Sequence, residues 1–405
     1  MNQLTIVEST IGGMLIGFSA AANMYLYGRV TGISGIVGNL IRPSPSVFAH
    51  ASEKTWRAVF VVGLILASAL SAVSDPDSFP SPLKLSSITY TFAGLAVGFG
   101  TRIGNGCTSG HGISGLARFS PRSLVAVCTF MAVGILTATL TSLTKQSEEP
   151  WRLATVSWPP NWMFAVLGGL GIVLLVVTST ALAKRSLDAD SPHTQYALAA
   201  VHLAIGMTFG LGLVVSGMLD QKKVIGFLDV SGSRFGGWDP SLAFVMGGGL
   251  VVNTVAHYLA RNNKEMRPYL RPEADFYFRP TSGAAPPANW KDPKLVIGSA
   301  FFGLGWGMAG ICPGPALGGL VHPFTSPALG PVFALWAVAF AAGVWAADAA
   351  IAAAKGTPFL VEMPPPSSVK RISPAMTSSL ELGSSSQGTP REAESGAQSS
   401  GGSAA

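Results

Sequence analysis

The length of its apolar runs most constrains what this chain can fold into. Nine stretches are close to the roughly 20 residues that a helix needs to cross the hydrocarbon of a bilayer. They lie near Ser9–Tyr27, Trp56–Val73, Ser87–Ile103, Arg122–Leu143, Trp162–Leu182, Tyr196–Gly217, Pro240–Leu259, Leu295–Ile311 and Pro331–Ala354. Inside lipid every backbone N–H and C=O must find a partner within the protein, so runs of this length become helices. The composition agrees: 11% of residues are charged, against about 25% in a soluble domain. An aqueous enzyme is excluded, and the expected fold is an all-α polytopic membrane protein with about nine transmembrane helices.

The net charge of +6 would suggest nucleic acid in a soluble chain. Here the basic residues fall mostly in short connections between apolar runs, where they act as topology signals facing the cytoplasm. Connections after odd-numbered spans, together with the C-terminal tail, hold roughly 20 Lys and Arg, and the opposite side roughly 6. The expectation is an N-terminus outside and a C-terminus in the cytoplasm, in the plasma membrane. The first run lacks a basic leader and a small-residue cleavage site and is read as a retained span. Three cysteines exclude a disulfide scaffold.

An internal repeat organises the chain. Arg29-Val30-Thr31-Gly32-Ile33 reappears as Lys223-Val224-Ile225-Gly226-Phe227, and setting Cys107 against Cys312 superposes Gly98 on Gly303 and Gly100 on Gly305. The chain then divides into a first transmembrane repeat (1–143), a linking span and linker (144–195), a second repeat (196–355) and a disordered cytoplasmic tail (356–405). The tail is rich in Ser, Gly, Ala and Pro and has too little apolar surface to fold. Corresponding spans are five apart, an odd separation, so the two four-helix halves are expected to be inverted relative to one another. Such folds place a substrate site near the midplane, where broken helices meet. The third and eighth spans, short and glycine-broken, are expected to be half-helices with re-entrant loops.

Those two spans end in Gly104-Asn-Gly-Cys107-Thr-Ser-Gly-His111-Gly112 and Ala309-Gly-Ile-Cys312-Pro-Gly-Pro315. Gly, Asn and Pro interrupt the helix and let the backbone approach a ligand. A thiol is small and polarizable, a weak donor and a weak acceptor, and suits a soft sulfur-bearing anion better than sulfate. The candidate substrate contacts are Cys107 and Cys312, with Gly106, Thr108, Ser109, Gly110 and His111 on the first loop and Gly310, Pro313, Gly314 and Pro315 on the second. Arg29, Lys223 and Arg102 are candidate attractors at the mouths; the alternative is that they snorkel to the interface.

These loops, with Gly28-Arg-Val-Thr-Gly-Ile-Ser-Gly35, resemble the YeeE/YedE sulfur-transport family over roughly residues 1–355. The resemblance implies nine spans in an inverted repeat with short re-entrant helices, and a pore whose cysteines, here Cys107 and Cys312, hydrogen-bond thiosulfate and pass it inward. The thiosulfate transporters of that family carry a further pore cysteine near the first re-entrant segment; this chain has Gly28–Gly32 there and none.

Cys128, inside an apolar span, is read as a packing residue. His111 is a candidate metal ligand or proton carrier; the alternative is a loop histidine that only hydrogen-bonds. Asp220 and Asp229 are expected to hold Lys222 or Lys223, and Asp348 to have a buried partner or a proton-coupling role. The expected function is a permease, not an enzyme, for thiosulfate or a related sulfur anion. Its partners are that anion and the lipid bilayer; no cofactor, resident metal or nucleic acid is expected. Two other functions stay open: a membrane sulfurtransferase using a Cys107 persulfide, and passive passage of Cu(I) or Zn.

Overall fold

The structure is a computed structural model. It describes residues 3–42, 51–74, 83–143, 177, 180–181, 192–263, 265–270, 276, 290–321 and 330–355, all within the compact unit Met1–Val361. The expected fifth span, Trp162–Leu182, lies almost wholly outside the described residues, and the 356–405 tail wholly outside them. The described residues are helical, with no strand among them.

The first half of the chain contains α1 (Gln3–Tyr27), α2 (Ile33–Ile41), α3 (Ala51–Ser74), α4 (Ser87–Gly104), a π-helical segment (Thr108–Gly115) and α5 (Pro121–Leu143). The second contains α6 (Pro192–Val215), α7 (Gln221–Leu228), α8 (Ser241–Asn262), α9 (Pro293–Ala309), α10 (Pro313–Gly319) and α11 (Gly330–Lys355). Eight of the expected spans are helices within a few residues of their sequence bounds. Six stretches among the described residues are long and apolar enough to cross a membrane, and this is an integral, polytopic helical membrane protein.

The outward faces are what lipid requires. Val62, Leu66, Leu70, Leu136, Leu140, Val251, Val255 and Val338 are exposed, whereas Phe60, Phe130, Trp306 and Trp336 are fully buried between helices. Lipid gives helices no hydrophobic reason to associate, so they associate by close backbone packing over small residues. A Cβ on Gly303 would sit 2.5 Å from Phe130 O, and one on Gly305 would sit 2.5 Å from Ala93 O. Such glycines join α4 to α9 and α11, α9 to α5, α1 to α6 and α8, and α3 to α6.

The third and eighth spans differ from expectation. α4 has 18 residues and α9 has 17, about 26 Å each at 1.5 Å per residue, so these are whole helices rather than half-helices. The breaks come after them, and the short pieces are α2, α7, α10 and the π segment. The first repeat match is also out of register in space. Arg29 to Gly32 precede α2, whereas Lys223 to Phe227 lie inside α7. Similar residues occupy different places relative to the helix start.

Asp348, on α11, is paired with both Arg102 at the end of α4 (2.6 Å) and Arg42 just after α2 (2.9 Å). Trp345 Nε1 donates to Ile41 O at 3.0 Å. One largely covered carboxylate thus ties the ends of α2 and α4 to α11. Arg102 is committed to that pairing.

Candidate functional site

α4 and α9 pack antiparallel: Gly104 meets Gly298 near the start of α9, and Gly305 meets Ala93 near the start of α4. Their C-terminal ends are therefore offset by about 16 Å along the axis, eleven residues at 1.5 Å each. Yet Thr108 Oγ1 lies 3.9 Å from Cys312 Sγ. Each chain must turn back after its helix, and both do so in the same way.

The turn is made by one left-handed residue, Asn105 (φ 59°) after α4 and Gly310 (φ 68°) after α9. Asn and Gly are the residues that tolerate this conformation. After one further residue comes an extended cysteine, Cys107 (φ −137°) or Cys312 (φ −119°), which caps the next short helix. The first helical bonds run from His111 N–H to Cys107 O at 2.8 Å and from Ala316 N–H to Cys312 O at 3.0 Å.

Both thiols line one cavity of about 40 Å³. Its wall is mostly apolar, built by Ile16, Ile33, Phe209, Leu213, Leu242 and Val245, and its polar lining is Cys107, Thr108, Ser109 and Cys312. Gly314, Pro315, Met218, Met246 and Trp306 also face it. Cys107 is 1% and Cys312 5% exposed.

Supports hold each loop from behind. Ser109 Oγ is 3.3 Å from Cys107 Sγ and accepts the Ile33 N–H at 3.1 Å, which brings the start of α2 to the first loop. Ser114 Oγ donates to Thr31 O at 2.8 Å. On the second loop, Gln221 Nε2 donates to Ala309 O at 2.8 Å, while its Oε1 accepts from Leu83 N–H at 2.8 Å and Tyr90 O–H at 3.2 Å.

Of the sequence candidates, Cys107, Thr108, Ser109, Cys312, Gly314 and Pro315 meet at the cavity. The others stand apart from it. His111 is buried behind the first loop, with Nδ1 3.1 Å from Ser123 Oγ and Nε2 3.2 Å from Gly104 O; it is a clamp, and Gly106 lies directly on its ring. Gly110 packs on Gly32, and Gly310 on the Gln221 backbone. Pro313 is buried in α10 and, like Pro315, has no N–H. Of that set only Gly314 offers an amide, which is directed at Cys312 Sγ.

The cationic candidates stand apart from the cavity. Arg29 lies over the Trp56 ring, 4.5 Å from its centroid, an arrangement that stabilises a cation against an aromatic face. Lys223 is buried and donates to Ser9 Oγ at 2.8 Å and Ser216 O at 2.6 Å. Neither borders the cavity. Asp220 caps α7 through Lys222 N–H, but Asp229 accepts from Ser231 and from Arg234 N–H rather than from a lysine side chain. Cys128 is exposed on the outer face of α5 beside exposed Leu124, so it is not a packing residue.

Sequence reasoning missed Met218, Met246 and Trp306. Their lining role arises from packing between helices distant in sequence, and no local pattern marks them. Among the described residues no cluster of three His, Cys, Asp or Glu side chains could hold a metal ion.

The comparisons with known proteins fall on both halves. The family described as Sulphur transport matches residues 3–137, and a Family of unknown function (DUF6691) matches residues 197–345. A probable transporter of Xylella fastidiosa strain Temecula1 is 46% identical over 130 residues, covering 32% of this chain and 90% of the relative. A probable transporter of strain 9a5c is 41% identical over 144 residues, covering 36% of this chain and 85% of the relative. No solved structure matches. The matched segments begin with α1 and α6, the helices that open the two halves, and extend past the cysteine loops. The chain belongs to the YeeE/YedE-like sulfur transporter family, and it is a membrane transporter rather than an enzyme.

Proposed function

We propose that this protein is a permease that takes up thiosulfate, or a closely related sulfur anion, through a passage lined by Cys107 and Cys312. The observation that carries the reading is the convergence of two thiols, each reached through a left-handed residue and an extended cysteine, on one cavity. A neutral thiol can donate weakly to an anion and offers a polarizable surface to its terminal sulfur. The apolar wall keeps water from competing, which strengthens each polar contact. Met218 and Met246 add thioether sulfurs where a third thiol is absent.

The proposed architecture is two inverted repeats of four spans joined by a fifth, with α2, α7, α10 and the π segment re-entering the bilayer. Helix pairing supports it. α3 packs along α6 as α8 packs along α1, α4 along α11 as α9 along α5, while α1 meets α6 and α4 meets α9. Exchanging the first six elements for the last six leaves that scheme unchanged. The Lys and Arg distribution supports a cytoplasmic C-terminus, and the proposed location is the plasma membrane.

The test is uptake of radiolabelled thiosulfate by liposomes holding the purified protein, alongside sulfate and Cu(I). Saturable thiosulfate uptake, lost in Cys107→Ser with Cys312→Ser, is the expected result. Sulfate preference, or normal uptake in the double variant, overturns it. Cu(I) transport would favour the metal reading, to which two thiols and two thioethers are also suited.

A further inference from the structure

Trp306 lies one turn before the second cysteine loop and is 1% exposed. Its Nε1 is buried without a hydrogen-bond partner. An indole N–H is a donor only, and a buried tryptophan nearly always finds it an acceptor. The surroundings restrict which way the ring faces. Its Cε3 edge is turned to Gly134 on α5, 3.4 Å from where a Cβ would stand there. One face is stacked on Phe302, with centroids 5.8 Å apart and planes 11° from parallel. Nε1 is on the edge opposite Cε3, and Trp306 is part of the cavity wall.

We infer that the Trp306 indole N–H is the directional donor of the transport site, holding an oxygen of the anion while Cys107 and Cys312 face its sulfur end. This rests on the transport reading above and deepens it. The remaining polar lining consists of thiols and hydroxyls, which both donate and accept and do not by themselves distinguish an anion from a cation. A fixed N–H in a water-poor cavity does distinguish them: it attracts an acceptor oxygen and offers nothing to a metal ion. It also orients the ligand, because an ion with one soft end and one oxygen end binds best with each end matched.

The experiment compares Trp306→Phe with Trp336→Phe. Trp336 is equally buried and its Nε1 is likewise unpartnered, but it does not border the cavity. Phenylalanine keeps the stacking on Phe302 and removes the N–H. In liposomes, Trp306→Phe should raise the apparent KM for thiosulfate about tenfold or more, the loss expected for a hydrogen bond to a charged partner, with maximal rate little changed. Trp336→Phe should leave the KM within about twofold. An independent measurement uses the wild-type protein: its Trp306 indole ¹⁵N–¹H resonance should shift on adding thiosulfate, and that of Trp336 should not. An unchanged KM in Trp306→Phe, or a resonance that does not move, beside lost uptake in Cys107→Ser overturns the donor role and leaves the transport reading standing. Absence of thiosulfate uptake by the wild type overturns the reading itself, and the donor role with it.

Discussion

Gly305→Ala tests whether the α4–α9 contact sets the site. A Cβ at this position would lie 2.5 Å from Ala93 O, 2.9 Å from Val97 Cγ2 and 3.1 Å from Ala96 Cβ. Carbon and carbonyl oxygen approach no closer than about 3.3 Å without strain, so the helices must separate by about 1 Å. The nearest obstacle is backbone, which cannot rotate away. Overpacking of this kind costs about 1–3 kcal/mol, offset by the roughly 0.5–1 kcal/mol that alanine contributes over glycine in a helix. A net loss of about 1–2 kcal/mol is expected. Trp306 follows directly and Cys312 two turns later, so the same displacement opens the cavity wall. A misplacement of 1 Å costs on the order of 100-fold in a tightly positioned catalytic site; a binding passage should lose about tenfold in uptake. Gly247→Ala is the control, because a Cβ there meets nothing within 4 Å. Thermal unfolding in detergent and liposome uptake are measured for both. If Gly305→Ala matches Gly247→Ala in both assays, the glycine contact does not set the site and the reasoning fails.

Other outcomes follow from the same geometry. Cys107→Ser and Cys312→Ser should each cut thiosulfate uptake strongly at normal expression. Cys128→Ser should leave uptake unchanged, and in the wild type Cys128 should be the first thiol labelled by a membrane-soluble maleimide, as peptide mapping would show. Asp348→Asn leaves Arg42 and Arg102 without their carboxylate. Because both arginines are partly exposed, the cost should be about 1–2 kcal/mol rather than the 3–5 kcal/mol of a fully buried pair, read as a lowered midpoint in thermal unfolding. Lys223→Met removes the donor to Ser9 and to Ser216 O. It should lower stability by about 1–3 kcal/mol while leaving the KM for thiosulfate unchanged; a raised KM would restore a role for Lys223 in substrate attraction.

Apolar run length made eight helices legible, because lipid enforces one structural solution on such runs. The cysteine loops were legible too, since Gly, Asn and Pro beside a thiol stop a helix wherever they occur. What surrounds them was not. Arg29 and Lys223 matched in sequence, but one stands on Trp56 and the other is buried against Ser9, a residue 214 positions away. His111, four residues after Cys107, reads either as a ligand or as a loop histidine that only hydrogen-bonds, and the sequence does not say that its nitrogens face Ser123 and Gly104. Met218, Met246 and Trp306 reach the cavity only because the turn after α6, α8 and α9 pack beside the loops. Contacts of that kind depend on the register of one helix against another, which short motifs do not carry.

The two thiol-bearing segments have unequal stiffness. α10 begins Pro313-Gly314-Pro315, with two fixed φ angles and two missing donors. Its counterpart is a wide π turn with Gly110, Gly112 and Gly115 in eight residues. If an ion is to enter or leave, the proline side has little slack to give. Widening therefore falls to 108–115, making one leaf of the doorway a hinge and the other a jamb. Hydrogen–deuterium exchange would register this as faster amide turnover across 108–115 than across 313–319.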